Sequence, residues 1–125
     1  MLKKILPALI LPLLLAGCST QFTNLTPQQQ VRNPNNLYKV EVAFNSTEQA
    51  MRWGTIKPQI VVGTEFYQMQ PTPLMSNRWK GFVPAPADAS AVRYRYKFDY
   101  LKSDFGTAKP DSVLSPEYKL RIVGQ

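Results

Sequence analysis

The chain has 125 residues, of which 44% are hydrophobic and 18% charged, with 15 Lys and Arg against 8 Asp and Glu. That length allows one folded domain. Histidine is absent and Cys18 is the only cysteine, which excludes a Ser-His-Asp or Cys-His nucleophile, a histidine-ligated metal, a disulfide framework and a zinc knuckle.

At the start of the chain, Lys3 and Lys4 form a positive n-region and residues 5–15 an apolar stretch. About a dozen apolar residues fall short of the roughly 20 that a membrane-spanning helix needs. Pro7 and Pro12 weaken such a helix further. The stretch ends Leu15-Ala16-Gly17-Cys18, which resembles the lipobox of bacterial lipoproteins, a small-residue cleavage site directly before a cysteine. The resemblance implies that residues 1–17 are a signal peptide, removed after Gly17. It also implies a diacylglyceryl group on the Cys18 sulfur and acylation of the new amino terminus. This covalent lipid is the only prosthetic group expected. Each buried acyl CH₂ contributes about 0.8 kcal/mol, and more than one chain gives stable attachment to a membrane. Ser19, rather than Asp, follows the cysteine. By resemblance to enterobacterial lipoproteins, this favours export to the outer membrane of a bacterial cell envelope, facing the periplasm or the exterior. Loss of Lys3 and Lys4 from the 15 basic residues leaves 13 against 8 acidic ones, a side-chain charge of +5 that favours anionic surfaces or polymers.

Residues 18–36 follow as the lipid-bearing cysteine and a tether. The sequence STQFTNLTPQQQVRNPNN is polar, with a short Gln run and Asn-Pro punctuation and no sustained period. As a flexible coil it would span roughly 25 Å, holding the domain close to its membrane. Within it, Phe22 and Leu25 are candidates for insertion in the lipid interface.

Residues 37–125 form the expected domain. Tyr38, Val40, Val42 and Phe44 alternate with Lys39, Glu41, Ala43 and Asn45, the pattern of a half-buried strand. Residues 46–53 offer a turn or two of helix at most; alternatively, residues 50–56 are a further strand. Residues 60–62 and 65–70 read as two short strands joined by a tight turn at Gly63-Thr64. Residues 78–83 follow a Pro-Thr-Pro turn region. The clearest strand covers residues 91–101, with Val92, Tyr94, Tyr96, Phe98 and Tyr100 on one face and Arg93, Arg95, Lys97 and Asp99 on the other. A last strand over residues 118–123 turns Tyr118, Leu120 and Ile122 inward and Lys119 and Arg121 outward. About seven short strands with turn signals between them predict an all-β fold, an immunoglobulin-like antiparallel sandwich lacking the Cys-Trp-Cys disulfide signature.

Little in this pattern suggests catalysis. Asp104-Phe105-Gly106 matches the kinase magnesium triplet but has no glycine-rich loop and no partner lysine strand, so it reads as a turn. The acidic residues are scattered and form no calcium loop. An enzyme is therefore not expected.

Two constellations remain as binding candidates. Arg93, Arg95 and Lys97 share one side of their strand, and Lys119 and Arg121 one side of theirs, so pairing of the two strands would gather five cations on one surface. That surface suits an anionic polysaccharide, lipid phosphates or another anionic surface; it also discourages edge pairing. Nucleic acid is not an expected partner of an exported chain. The second constellation is aromatic. Arg78-Trp79-Lys80-Gly81-Phe82-Val83-Pro84 followed by Val92-Arg93-Tyr94-Arg95-Tyr96-Lys97-Phe98 resembles the early-set domains of carbohydrate-binding families 20 and 48. The resemblance covers residues 72–100 and implies sugar stacking on exposed tryptophans, for which Trp79 and Trp53 are the candidates. The usual second tryptophan after the tyrosine-rich strand is missing. The expected function is a membrane-anchored envelope lipoprotein whose domain is a non-catalytic protein-interaction or assembly module, with glycan binding as the alternative.

Overall fold

A computed structural model describes residues 20–124. The signal segment, Cys18 and Ser19 lie outside the described residues. Ten strands are formed and, among the described residues, no helix: β1 (Thr20–Asn24), β2 (Gln29–Val31), β3 (Leu37–Ser46), β4 (Met51–Val62), β5 (Glu65–Gln68), β6 (Gln70–Pro71), β7 (Arg78–Pro84), β8 (Ala91–Asp104), β9 (Thr107–Leu114) and β10 (Tyr118–Val123). They make two sheets, one ordered β1-β3-β7-β6 and the other β2-β10-β8-β4-β5, with β9 also on β8. Lettered in the immunoglobulin manner, the first sheet is A-B-E-D and the second G-F-C-C′. The short β2 is added beside G, pairing with it in parallel.

The core forms where the alternating faces of the two sheets meet. Tyr38, Val40, Val42 and Phe44 of β3, together with Val92, Tyr94, Tyr96, Phe98 and Tyr100 of β8, are all buried. Phe98 lies at the centre, with its ring 4.9 Å from Phe44 and 5.1 Å from both Phe22 and Trp79. Leu120 and Ile122 close the β10 side. Gly81 of β7 packs closely under β4, since a Cβ there would stand 2.8 Å from Ile60 Cδ1 and would displace that side chain.

The tether expected over residues 18–36 is overturned within the described part. Thr20 through Asn24 pair antiparallel with Ser46 through Val42, and Gln29 through Val31 pair with Arg121 through Val123. The chain crosses from one sheet to the other at residues 25–28 and closes that side of the sandwich. Polar composition misled because the polar side chains satisfy buried tyrosines. Tyr96 Oη donates to Asn24 Oδ1 at 2.6 Å, and Asn24 Nδ2 donates to Tyr94 Oη at 2.9 Å. Buried Thr26 accepts from the Glu41 backbone N–H at 2.9 Å and lies 3.3 Å from the Tyr96 hydroxyl. Phe22 is half-buried core, not a lipid-facing side chain.

Three further differences follow from local chemistry. Residues 51–56 are strand rather than helix, with Ala50 in the preceding turn, and they are continuous with residues 60–62 as one long β4. A bulge between Arg52 and Lys57 hides the continuity. There the Thr55 hydroxyl stands in for the ladder, donating to Arg52 O at 2.6 Å and accepting from Leu101 N–H at 2.8 Å. Residues 65–70 divide at buried Met69, so that β5 and β6 join different sheets. Finally, β9 was not expected. It hangs on the edge of β8 with both faces largely in solvent, so it shows no alternation.

Register defines two ends of the sandwich. Thr20 pairs with Ser46, Arg78 with Ala43, and Met51 with Lys102. The start of β1, the β3–β4 and β6–β7 loops and the β8–β9 turn therefore share one end, the entry end. Residues 32–36, Gly63-Thr64 and residues 85–90 occupy the other. From the level of Phe44 and Phe98, β3 continues two residues and β8 six, so the β8–β9 arm extends about 13 Å further at ~3.3 Å per residue.

Candidate functional site

The five basic residues are brought onto one face because β10 pairs antiparallel with the first half of β8. Inward Tyr94 sits opposite inward Tyr118, which leaves Arg93 directly across from Lys119 on the solvent side. Arg121 lies beside this pair on β10, and Arg95 and Lys97 continue it along β8. The two strands differ in what neutralises them. Glu117 lies between Arg93 and Arg95, at 3.8 Å and 3.7 Å, and Lys97 Nζ donates to Asp99 Oδ1 at 2.6 Å. Among the described residues, neither Lys119 nor Arg121 has a carboxylate within ion-pair distance. With Lys57 of β4 opposite Asp99, six cations face two carboxylates on this surface.

Like charges directly across a strand pair are destabilising, by roughly 0.2–1 kcal/mol. Arg93 and Lys119 are such a pair, and Glu117 relieves it only from the β8 side. Apolar side chains flank the cations. Val61 of β4 pairs with Arg95, Phe66 of β5 pairs with Val61, and Val31 of β2 pairs with Val123. Phe66 is 54% exposed and Val31 68%. Lys97 Nζ stands 6.0 Å from the Phe66 ring centre, at the outer limit of a cation–π contact. Glu117, Phe66 and Val31 were not singled out from sequence. Glu117 carries no signal apart from its position at the start of β10. Phe66 and Val31 belong to segments of four and three residues, too short for period two to assign a face.

The aromatic candidates separate. Trp79 is buried at 8% exposure, edge-on to Phe98, so it is unavailable to a sugar ring. Its place as the first inward residue of β7, opposite Val42, puts it between the sheets. Trp53 is 39% exposed at the entry end, one side resting near Phe44 at 5.7 Å. The two tryptophans form no shared platform, and the other exposed aromatics are dispersed, with Phe66 and Phe82 on opposite sheets and Phe105 on a turn.

The bulge in β4 opens a groove of about 840 Å³ lined by Thr55, Lys57, Asp99, Leu101, Pro110 and Asp111, among others. Its carboxylates are already engaged. Hydrogen bonding from Lys97, then from Gln59, holds Asp99 below the usual carboxylate range. The Ser112 backbone N–H and then Lys102 do the same for Asp111. Both are therefore ionised bases with satisfied partners, an arrangement unsuited to a general acid. Behind the groove, burial pushes Tyr100 up to about 12, helped by the charges of Asp111 and Glu48. Burial also raises Tyr96, the centre of the hydroxyl network. No group of three or more metal-ligating side chains occurs among the described residues.

Comparison with protein-family models, with curated proteins and with solved structures found no match.

Proposed function

We propose that this chain is a lipid-anchored protein of the bacterial envelope whose sandwich is a non-catalytic interaction module, docking an acidic partner protein on the outer face of the β10-β8-β4-β5 sheet. The observation that carries this reading is the cross-strand juxtaposition of Arg93 and Lys119, continued by Arg95 and Arg121, with the latter strand's cations lacking a carboxylate partner among the described residues. Phe66 and Val31 beside them favour a protein over a simple polyanion. Arginine and aromatic side chains together are the composition of protein interfaces, whereas polyanion binding needs charge alone. The lipid anchor rests on the Leu-Ala-Gly-Cys motif and on a preceding apolar stretch too short to span a membrane.

A strand-addition mode at the β9 edge has less support. The outward positions of that edge include Pro110, which has no N–H, and Ser112, whose N–H is already taken by Asp111 Oδ1 at 2.8 Å.

The test is co-isolation of partners with the full lipidated chain from detergent-solubilised envelope. A discrete protein should be retained at about 0.05 M salt and lost toward 1 M, where the screening length falls to about 3 Å. Arg93→Glu combined with Lys119→Glu should abolish it at every salt concentration. Salt-insensitive retention of a neutral glycan, with no protein, would contradict the proposal.

A further inference from the structure

Among the described residues, three that are not glycine adopt the left-handed conformation: Asn36 (φ 59°), Leu74 (φ 66°) and Phe105 (φ 50°). Asn36 is an ordinary choice, since asparagine tolerates that region. The other two are not. Residues 72–75 make a turn closed by Met75 N–H to Thr72 O at 3.1 Å, with Pro73 leading and Leu74 third, a place that calls for glycine or asparagine. Phe105 and Gly106 form a two-residue hairpin loop between Asp104 and Thr107, both with positive φ, where Asn-Gly is the preferred pair. In each turn a large apolar side chain occupies the strained position, and both are fully exposed, at 103%. Neither is held by packing.

Both turns lie at the entry end, with half-exposed Trp53 and Met75. The opposite end meets the same backbone demand with Asn36 and Gly63. The two ends thus differ in the side chains that they place at positions of positive φ. Thr20, two residues after Cys18 in the sequence, begins β1 at this end, and two residues of chain reach about 7 Å at most. An acyl chain on Cys18 would therefore bring the bilayer close to the end that carries these turns. The β8–β9 arm runs about 13 Å past the level of Ser46, and a side chain at its tip reaches the depth at which interfacial apolar groups settle, roughly 5–10 Å into the headgroup and acyl boundary.

We infer that the entry end is a membrane-docking surface: Leu74 and Phe105, with Trp53 and Met75 behind them, insert into the lipid interface and hold the sandwich upright on its anchor, with the cationic sheet face directed sideways, accessible to a partner. This orientation rests on the reading of Cys18 as the anchor, and the inserted occupant is the bilayer itself.

The experiment is hydroxyl-radical footprinting of the native full-length protein in phosphatidylethanolamine–phosphatidylglycerol vesicles, compared with the Cys18→Ser chain free in buffer, with intact mass reporting the lipid. Leu74, Met75 and Phe105 should be protected severalfold in vesicles, while Leu37 at the far end keeps its solution rate. If the mass shows the lipid but the turn residues oxidise as fast as in solution, the docking inference is overturned and the anchor stands. If the mass shows no lipid, the anchor reading fails. In that case protection of the three residues when vesicles are added to the unmodified chain supports docking by insertion alone, and unchanged oxidation overturns it.

Discussion

Replacing Phe22 with alanine distinguishes a tether from an integral strand, because the two assignments predict different magnitudes at one residue. In a flexible tether the change touches nothing and stability moves by no more than about 0.5 kcal/mol, as for most surface substitutions. In the structure, the Phe22 ring lies 5.0 Å from Phe44, 5.1 Å from Phe98 and 6.3 Å from Tyr96. Full burial of a phenylalanine corresponds to a loss of about 3–5 kcal/mol on truncation to alanine. Phe22 is half-buried, so a loss of about 2–3 kcal/mol is expected. Asn24→Ala serves as a second probe in the same strand. It removes the acceptor of the 2.6 Å Tyr96 bond and the donor of the 2.9 Å bond to Tyr94, and should cost about 1–3 kcal/mol through poorly satisfied hydroxyls. Urea unfolding of the soluble form beginning at residue 19, followed by the fluorescence of buried Trp79, measures both. A midpoint for Phe22→Ala within error of the parent protein would refute the assignment of β1 to the sandwich.

Phe98→Ala should cost about 3–5 kcal/mol in the same assay, whereas Lys97→Ala, which removes only a half-exposed ion pair with Asp99, should cost about 0.5 kcal/mol; similar losses for the two would overturn the register of β8. Leu74→Gly and Phe105→Asn should each raise stability by about 1 kcal/mol by relieving the left-handed strain without removing any packing, and a loss on either change would show that the side chain holds a contact in the fold. Stability should be level between about pH 5 and 8, because there is no histidine to titrate. Asp99 and Asp111 hold their protons less tightly when folded, so their small contribution is present above about pH 4 and is lost as pH falls through their lower folded values. Tyr100 stays neutral up to about 12, and Tyr96 and Tyr118 are also raised, so their contribution is complete below about pH 10 and is lost as pH rises through the folded values. Thermal melts across pH 2–12 read both limbs, and a step between pH 6 and 7 would contradict the assignment.

The parts of the fold legible in the sequence are those where one face of a strand meets core and the other meets water. In β3, β8 and β10 that contrast repeats every second residue, and the inward sets found in the structure match the alternation. Where that contrast is missing, the sequence is silent or misleading. β1 and the crossing after it bury Asn24 and Thr26 against tyrosine hydroxyls, so their inward residues are polar and resemble a linker. β9 is an edge strand wet on both sides, and β4 is broken by a bulge whose ladder is completed by the Thr55 hydroxyl. The cationic site was half legible. Alternation assigned Arg93 and Arg95 to one surface and Lys119 and Arg121 to another, but merging the two depended on the long-range pairing of β8 with β10. Trp53 and Trp79 have similar sequence surroundings; the half-exposed one falls in the β4 bulge, whereas the buried one is paired with Val42 inside the sandwich.

The central claim, that the cationic sheet face is the docking surface of an envelope-anchored module, is tested most directly by site-specific photo-crosslinking in living cells. A photoreactive residue replaces Arg121 on that face or, as a control, Lys39 on the outer face of the other sheet. The account predicts a discrete protein adduct from position 121 that disappears when Arg93→Glu and Lys119→Glu are added, and no such adduct from position 39. Adducts of equal yield from both faces, or an adduct at 121 that survives the charge reversals, would contradict it.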